Sequence, residues 1–217
     1  MRQLKKRHDM KNTIIIISTF LLFCSTTYGQ TRKDLKIDFM FRGYIHAQSS
    51  IEDTTALGGF GGSDNFPKLI NTENTFSENG LFLKIDTTKI TTIKDKFNGY
   101  KFYIGNKSDT TVKLDASDSR LYVIAEVFYK GEWKPIDYLP SSWCGNSYHE
   151  VFLKQNEYWE FIIPKFSGKI KTKLRYRLMI SKDKFIYSNE IETNINKGQL
   201  TKKEGHKPNG IMDPYND

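Results

Sequence analysis

From Leu81 to Glu192 the chain alternates apolar and polar residues with a period of two. No stretch there keeps a helical period for three turns. "KLRYRLMI" is the clearest case. Leu174, Tyr176, Leu178 and Ile180 fall on one parity, and Lys173, Arg175 and Arg177 on the other. A strand turns successive side chains to opposite faces, so this pattern is a strand with one dry and one wet side. In "YWEFIIP" Trp159, Phe161 and Ile163 share a parity, and in "NGYKFYIGN", after the Asn98-Gly99 pair, Tyr100, Phe102 and Ile104 do. "RLYVIAEVFY" is apolar on both parities, as a central strand buried on both faces would be. Lys130-Gly131 predicts a tight turn into "EWKPIDYL", and Pro135 predicts that this returning strand lies at an edge or carries a bulge. About seven or eight such strands with turns between them predict an all-β fold, an immunoglobulin-like antiparallel β-sandwich over residues 81–195.

The flanks differ. Residues 1–29 carry five Lys/Arg, then an apolar run from Ile14 to Phe23, then small and polar residues ending Tyr28-Gly29. That order predicts a secretory signal peptide cleaved after Gly29. The apolar run is about 15 Å long as a helix, half of a bilayer core, so no transmembrane span is expected in the mature protein. Cys24 raises lipoprotein anchoring as the alternative, but Phe23 stands where a small residue is needed. The expected location is therefore periplasmic or extracellular. Residues 30–80 read as an N-terminal strand plus a Gly-rich flexible region, with four glycines in Gly58–Gly62. Residues 196–217 read as a disordered polar tail.

Charge and cysteine content narrow the function. Half of the net charge of +8 belongs to residues 1–29, and the remaining +4 does not suggest a nucleic-acid partner. Without the signal only Cys144 remains, so a hydrophobic core rather than an internal disulfide must carry the fold.

"YLPSSWCGNSYHEV" concentrates the reactive residue types. Cys144 and His149 are the candidate catalytic pair, with Glu150 beside them, because a thiolate nucleophile needs a base and an orienting group. Against this, His149 and Glu150 point to opposite faces if they lie in a strand. The structural reading puts Trp143 and Cys144 inside the end of the sandwich. Candidate binding residues are Trp133, Trp143, Tyr148 and Trp159, as a sugar-stacking platform or as core. His46, His149 and His206 lack zinc spacing, "DASDS" lacks a calcium loop's last ligand, and Gly58–Gly62 lacks a following Lys-Ser/Thr, so neither a metal nor another cofactor is expected.

"DSRLYVIAEV", "KPIDYLPSSWCGNSYHEVFL", "YWEFIIPKFSGKIKTKLRYRL" and "IYSNEIE" resemble uncharacterised secreted proteins of Bacteroidota over about residues 98–195. The resemblance implies a secreted β-sandwich and nothing catalytic. Asp53-Thr54-Thr55, Asp86-Thr87-Thr88 and Asp109-Thr110-Thr111 also resemble the O-glycosylation acceptor of such bacteria, which would modify Thr54, Thr87 and Thr110. The alternative is that Asp-Thr-Thr marks turns in which Asp and Thr bond nearby backbone. The sequence thus points to a non-enzymatic binding or adhesion module at the cell envelope, with a protein or glycan partner. A carbohydrate-binding module and a Cys144-centred hydrolase are the alternatives.

Overall fold

A computed structural model describes residues 32–72, 75–140 and 145–203. The strands in chain order are β1 (Phe41–Arg42), β2 (Lys68–Leu69), β3 (Leu81–Ile93), β4 (Phe97–Asn106), β5 (Val112–Ser117), β6 (Arg120–Leu121) and β7 (Val123–Tyr129). They continue as β8 (Glu132–Pro135), β9 (Asp137–Tyr138), β10 (Tyr148–Leu153), β11 (Glu157–Pro164), β12 (Ile170–Ser181), β13 (Lys184–Tyr187) and β14 (Ile191–Ile195). The fold is an all-β sandwich of antiparallel sheets. One sheet has the order β2-β11-β4-β3 and the other β13-β12-β7-β8, with β14 also pairing β12. A smaller sheet, β10-β5-β6, adds a third group of buried side chains.

The expected parities become the core. Phe102, Ile104, Trp159 and Ile163 from the first sheet meet Val123, Ala125, Val127, Leu174, Tyr176 and Leu178 from the second, all buried. Phe102 and Tyr176 stack across the interface with ring centroids 4.7 Å apart. Burying a large apolar side chain contributes about 1.5–3 kcal/mol, so a core of this size can hold the fold without a disulfide.

Three expected runs are each split in two, so the strand segments outnumber the seven or eight expected. At Tyr122 the chain bends, and β6 and β7 belong to different sheets. Ile136 separates β8 from β9, and residues 188–190 separate β13 from β14. At that last break the Asn189 side chain accepts from Ile85 N (2.7 Å) and donates to Ile85 O (3.1 Å), joining the two large sheets at an edge. β7 is central in its sheet, as expected, but it is not apolar on both faces. Its outward parity carries Ile124, Glu126 and Phe128.

The turns follow backbone chemistry. Lys130 and Gly131 both have positive φ (54° and 88°), the conformation of a two-residue primed hairpin, and β8 lies at the sheet edge as Pro135 predicts. Asp118 and Ser119 (φ 50° and 61°) make the same kind of turn between β5 and β6, so "DASDS" is a hairpin. Asn98-Gly99 is not a turn. The β3–β4 connection lies at Lys94–Lys96, and Gly99 sits inside β4, where a Cβ would come within 2.7 Å of Ile163 O.

The N-terminal segment holds only the two-residue strand β1 and otherwise runs as a strap. Lys33 bridges to Phe97, Leu35 to Phe166, Met40 to Lys203, β1 to β9, and His46 to Arg120. Each step meets a different element, so no ladder can grow. The first part of the expected tail is structured: Lys197–Leu200 forms a 3-10 turn, with Gly198 N donating to the Asp38 carboxylate (2.7 Å) and the Asn196 side chain to Ile37 O (2.7 Å). His206 and the tail beyond Lys203, the signal region with Cys24, and Trp143 and Cys144 lie outside the described residues.

Candidate functional site

Three surfaces gather chemistry. The first surrounds the start of β10. The loop after residue 48 is fastened here: the Asp53 carboxylate accepts from Glu150 N (2.8 Å), Gly61 N donates to Asp118 (2.8 Å), and Trp159 Nε1 donates to Gln48 O (2.8 Å). The Gly-rich stretch lets Phe60 lie on His149, ring centroids 3.8 Å apart. His149 is 6% exposed, and its Nε2 lies 3.4 Å from Ser119 Oγ. Among the described residues its buried Nδ1 has no hydrogen-bond partner. Burial holds its pKa below the usual value, against the pull of Asp53 and Asp118. Glu150 points the other way, to Lys113 (2.7 Å), as strand parity requires. His149 is thus a covered imidazole whose burial disfavours the charged form. Beside it is a cleft of about 310 Å³ lined by Asp53, Leu57, Asp115, Tyr122, Tyr148 and Glu150, with Tyr148 on its exposed rim.

Thr54, Thr87 and Thr110 are all exposed. Asp53 accepts from Thr55 N and Oγ1 (2.9 and 2.6 Å), and Asp86 from Thr88 N and Oγ1 (2.9 and 2.7 Å). Two of the three motifs are therefore the same local turn, and Asp86 marks the place where the β3–β4 register slips. At the third motif Asn106 takes the capping role instead, accepting from Ser108 N (2.9 Å).

The second surface is the outer face of β13-β12-β7-β8. The Arg175 guanidinium lies 4.1 Å from the Trp133 ring centre and 4.0 Å from that of Tyr187. Phe128, paired with Trp133 across the β7–β8 ladder, meets it edge-on at 5.5 Å. Arg177 lies over Phe185 at 4.6 Å. Beneath them Glu126, 4% exposed at its side chain, accepts from Arg175 Nη2 (2.9 Å) and Arg177 Nε (3.1 Å). Phe128 and Tyr187 stay 44% and 45% exposed. One buried carboxylate thus fixes two arginines, and the arginines fix the rings. Lys173 turns to Glu190 (2.9 Å) at the rim.

Of the candidate binding residues, Trp133 belongs to this face. Trp159 does not: it is fully buried, because its parity with Phe161 and Ile163 turns it into the core. Tyr148 lies on the first surface, away from Trp133 in the sheet order. Sequence reading missed Phe128 and Tyr187. Their signal was aromatics on the wet parity of strands, where solvent alone would select polar residues.

The third surface is a cleft of about 750 Å³ between the N-terminal strap, the β3–β4 turn and the end of β11. It was not legible in the sequence, because its walls come from three distant segments. Among the described residues no three His, Cys, Asp or Glu side chains gather as a metal cage, and no helix is long and apolar enough to cross a membrane. No protein-family model, curated protein or solved structure matches the chain.

Proposed function

We propose that this protein is an exported, non-enzymatic binding module of the cell envelope. It holds a protein partner through the outer face of β13-β12-β7-β8. The observation that carries the reading is the ring–guanidinium stack Trp133–Arg175–Tyr187, with exposed Phe128 at its edge. Trp, Tyr and Arg are the side chains that most often dominate protein interfaces, and a partner loses least affinity when such anchors are already ordered. The Lys173–Glu190 ion pair lies at the edge of the apolar centre as a polar border.

A protein suits this face better than a sugar. Sugar stacking needs an open ring face, and Trp133 gives one to Arg175 and meets Phe128 edge-on. The basic parity of β12 is not wholly left over for an acidic partner either, since Arg175 and Arg177 both bond to Glu126. The test is binding of the purified protein to envelopes of its own cells. The doubly substituted Phe128→Ala/Tyr187→Ala protein should bind about tenfold or more weakly, as loss of two anchors implies. Protease treatment of the envelopes should abolish binding and glycosidase treatment leave it. Unchanged binding by the double variant sinks the protein-binding face, and loss on glycosidase treatment alone transfers the reading to a glycan.

A further inference from the structure

The third surface shares no residue with that face, and it lies along an open strand edge. β4 pairs β11 along its whole length on one side, but on the other side β2 pairs only Glu157 and Tyr158. Backbone bonds alternate between the two sides of an antiparallel strand. Lys165 N donates to Asn98 O (3.0 Å), one step beyond the last β11–β4 pair and in the same register. The odd-numbered residues of β11 therefore bond β4, and the even-numbered ones face away from it. Glu160 O obeys this rule and accepts from the Asn65 side chain (3.3 Å). Ile162 is next on that side. Among the described residues nothing bonds its N–H or C=O, and it is 37% exposed.

The strap frames this gap without filling it. At one end Leu35 N donates to Lys165 O and Ser167 N to Leu35 O (both 2.8 Å). At the other, Asn65 Nδ2 reaches Glu160 O and His46 O (3.3 and 3.4 Å). Between those points the strap bonds the opposite edge, around β9 and β6. Phe41 N donates to Ile136 O (3.0 Å), Gly43 N to Tyr138 O (2.8 Å) and Ala47 N to Ser119 O (2.8 Å). The cleft of about 750 Å³ thus lies where one strand is missing between the strap and β11, with Phe41, Tyr44, Phe97 and Ile162 among its walls. From Glu160 to Pro164 the opening is about 13 Å long, the span of four or five extended residues.

We propose that this cleft takes an extended peptide segment of a partner protein, which joins β11 as an added strand through Ile162 N–H and C=O and lays its apolar side chains on the cleft walls. The backbone selects a peptide over a small apolar ligand. A free N–H and C=O on one residue are the two groups that a paired strand residue exchanges, and an unpaired edge is a template for another strand. Pro164, on the same side, has no N–H to offer, so the pairing ends there. Charge adds no preference. The β3–β4 turn carries Lys94, Asp95 and Lys96, of both signs, and Arg42 is already engaged.

The test uses the whole protein and the blocked hexapeptide acetyl-Thr-Val-Thr-Val-Thr-Val-amide. In the free protein the Ile162 amide should exchange with solvent about tenfold or more faster than those of Phe161 and Ile163, which face β4 and the core. The peptide should bind saturably and slow Ile162 exchange. An added strand turns alternate N–H groups to β11, so the two patterns of backbone N-methylation, on the threonines or on the valines, should differ. One should weaken binding about tenfold, the effect of lost backbone hydrogen bonds, and the other should leave it. Ile162→Pro removes the outward N–H and spares the β4 ladder, as a proline on an open edge does. It should lose the peptide with an unchanged circular dichroism spectrum. Slow exchange of Ile162 in the free protein overturns the proposal, as does absence of saturable binding. Equal effects of the two methylation patterns overturn it in favour of a plain apolar groove.

Discussion

Asp137 sits in an environment that a carboxylate seldom occupies. It is 4% exposed, and its Oδ2 accepts from Ala125 N (3.0 Å). Burial raises its pKa from 3.8 to about 7 against that one bond, and Tyr44 and Tyr176, buried beside it, are raised too, by burial first. The folded protein therefore holds a proton on Asp137 at a pH where the unfolded chain has released it. This contribution to stability is complete below about pH 4 and is lost as the pH rises to about 7, an upper bound of about 4 kcal/mol. His46 and His149, whose pKa values burial lowers, act oppositely: their part grows as the pH rises toward the unfolded value near 6.5. Asp137→Asn keeps an oxygen for Ala125 N and removes the carboxyl titration. Urea unfolding at pH 5 and pH 8 should show the native protein losing stability with rising pH relative to this variant. Parallel profiles for the two proteins contradict the buried carboxyl.

At the level of strands, β7 and β12 show how one buried charge organises a sheet face. Glu126 pairs with Arg175 across the ladder, and Arg177 takes its second oxygen. Glu126→Ala leaves two partly buried guanidiniums without an acid. Breaking a fully buried pair costs about 3–5 kcal/mol; partial exposure of the arginines reduces this to about 2 kcal/mol, or a fall in Tm of about 4–8 °C for a domain of this size. Lys173→Ala, which breaks an exposed pair, should leave the melting temperature nearly unchanged. Thermal melts of both variants check the contrast, and equal losses would contradict the buried network. The same strands show what alternation tells a reader. Leu174, Tyr176 and Leu178 announced a dry face, and Arg175 and Arg177 a wet one. Alternation does not encode the partner of a wet residue, so the cover that Arg175 makes over Glu126 stayed hidden, and "RLYVIAEVFY" passed for an apolar strand.

Across the molecule, the legible part was the part governed by short-range rules. Strand parity put Trp159, Phe161 and Ile163 on one face, Lys130-Gly131 placed a hairpin, and Pro135 pointed to an edge or a bulge. The strap was not legible, because residues 33–46 meet five separate elements and carry no period of their own. Nor was the role of the Gly-rich loop, whose Phe60 covers a histidine almost ninety residues away. The site followed the same division. Trp133 was named among the candidate aromatics, as platform or core, but its partners Arg175 and Tyr187 join it only through sheet order, which a single sequence does not fix.

Amide hydrogen exchange of the protein, alone and with solubilised envelope proteins of its own cells, tests the proposed binding face most directly. The account predicts new protection confined to β7, β8, β12 and β13. Protection instead over residues 53–57 and 148–150, with those four strands unchanged, would contradict it.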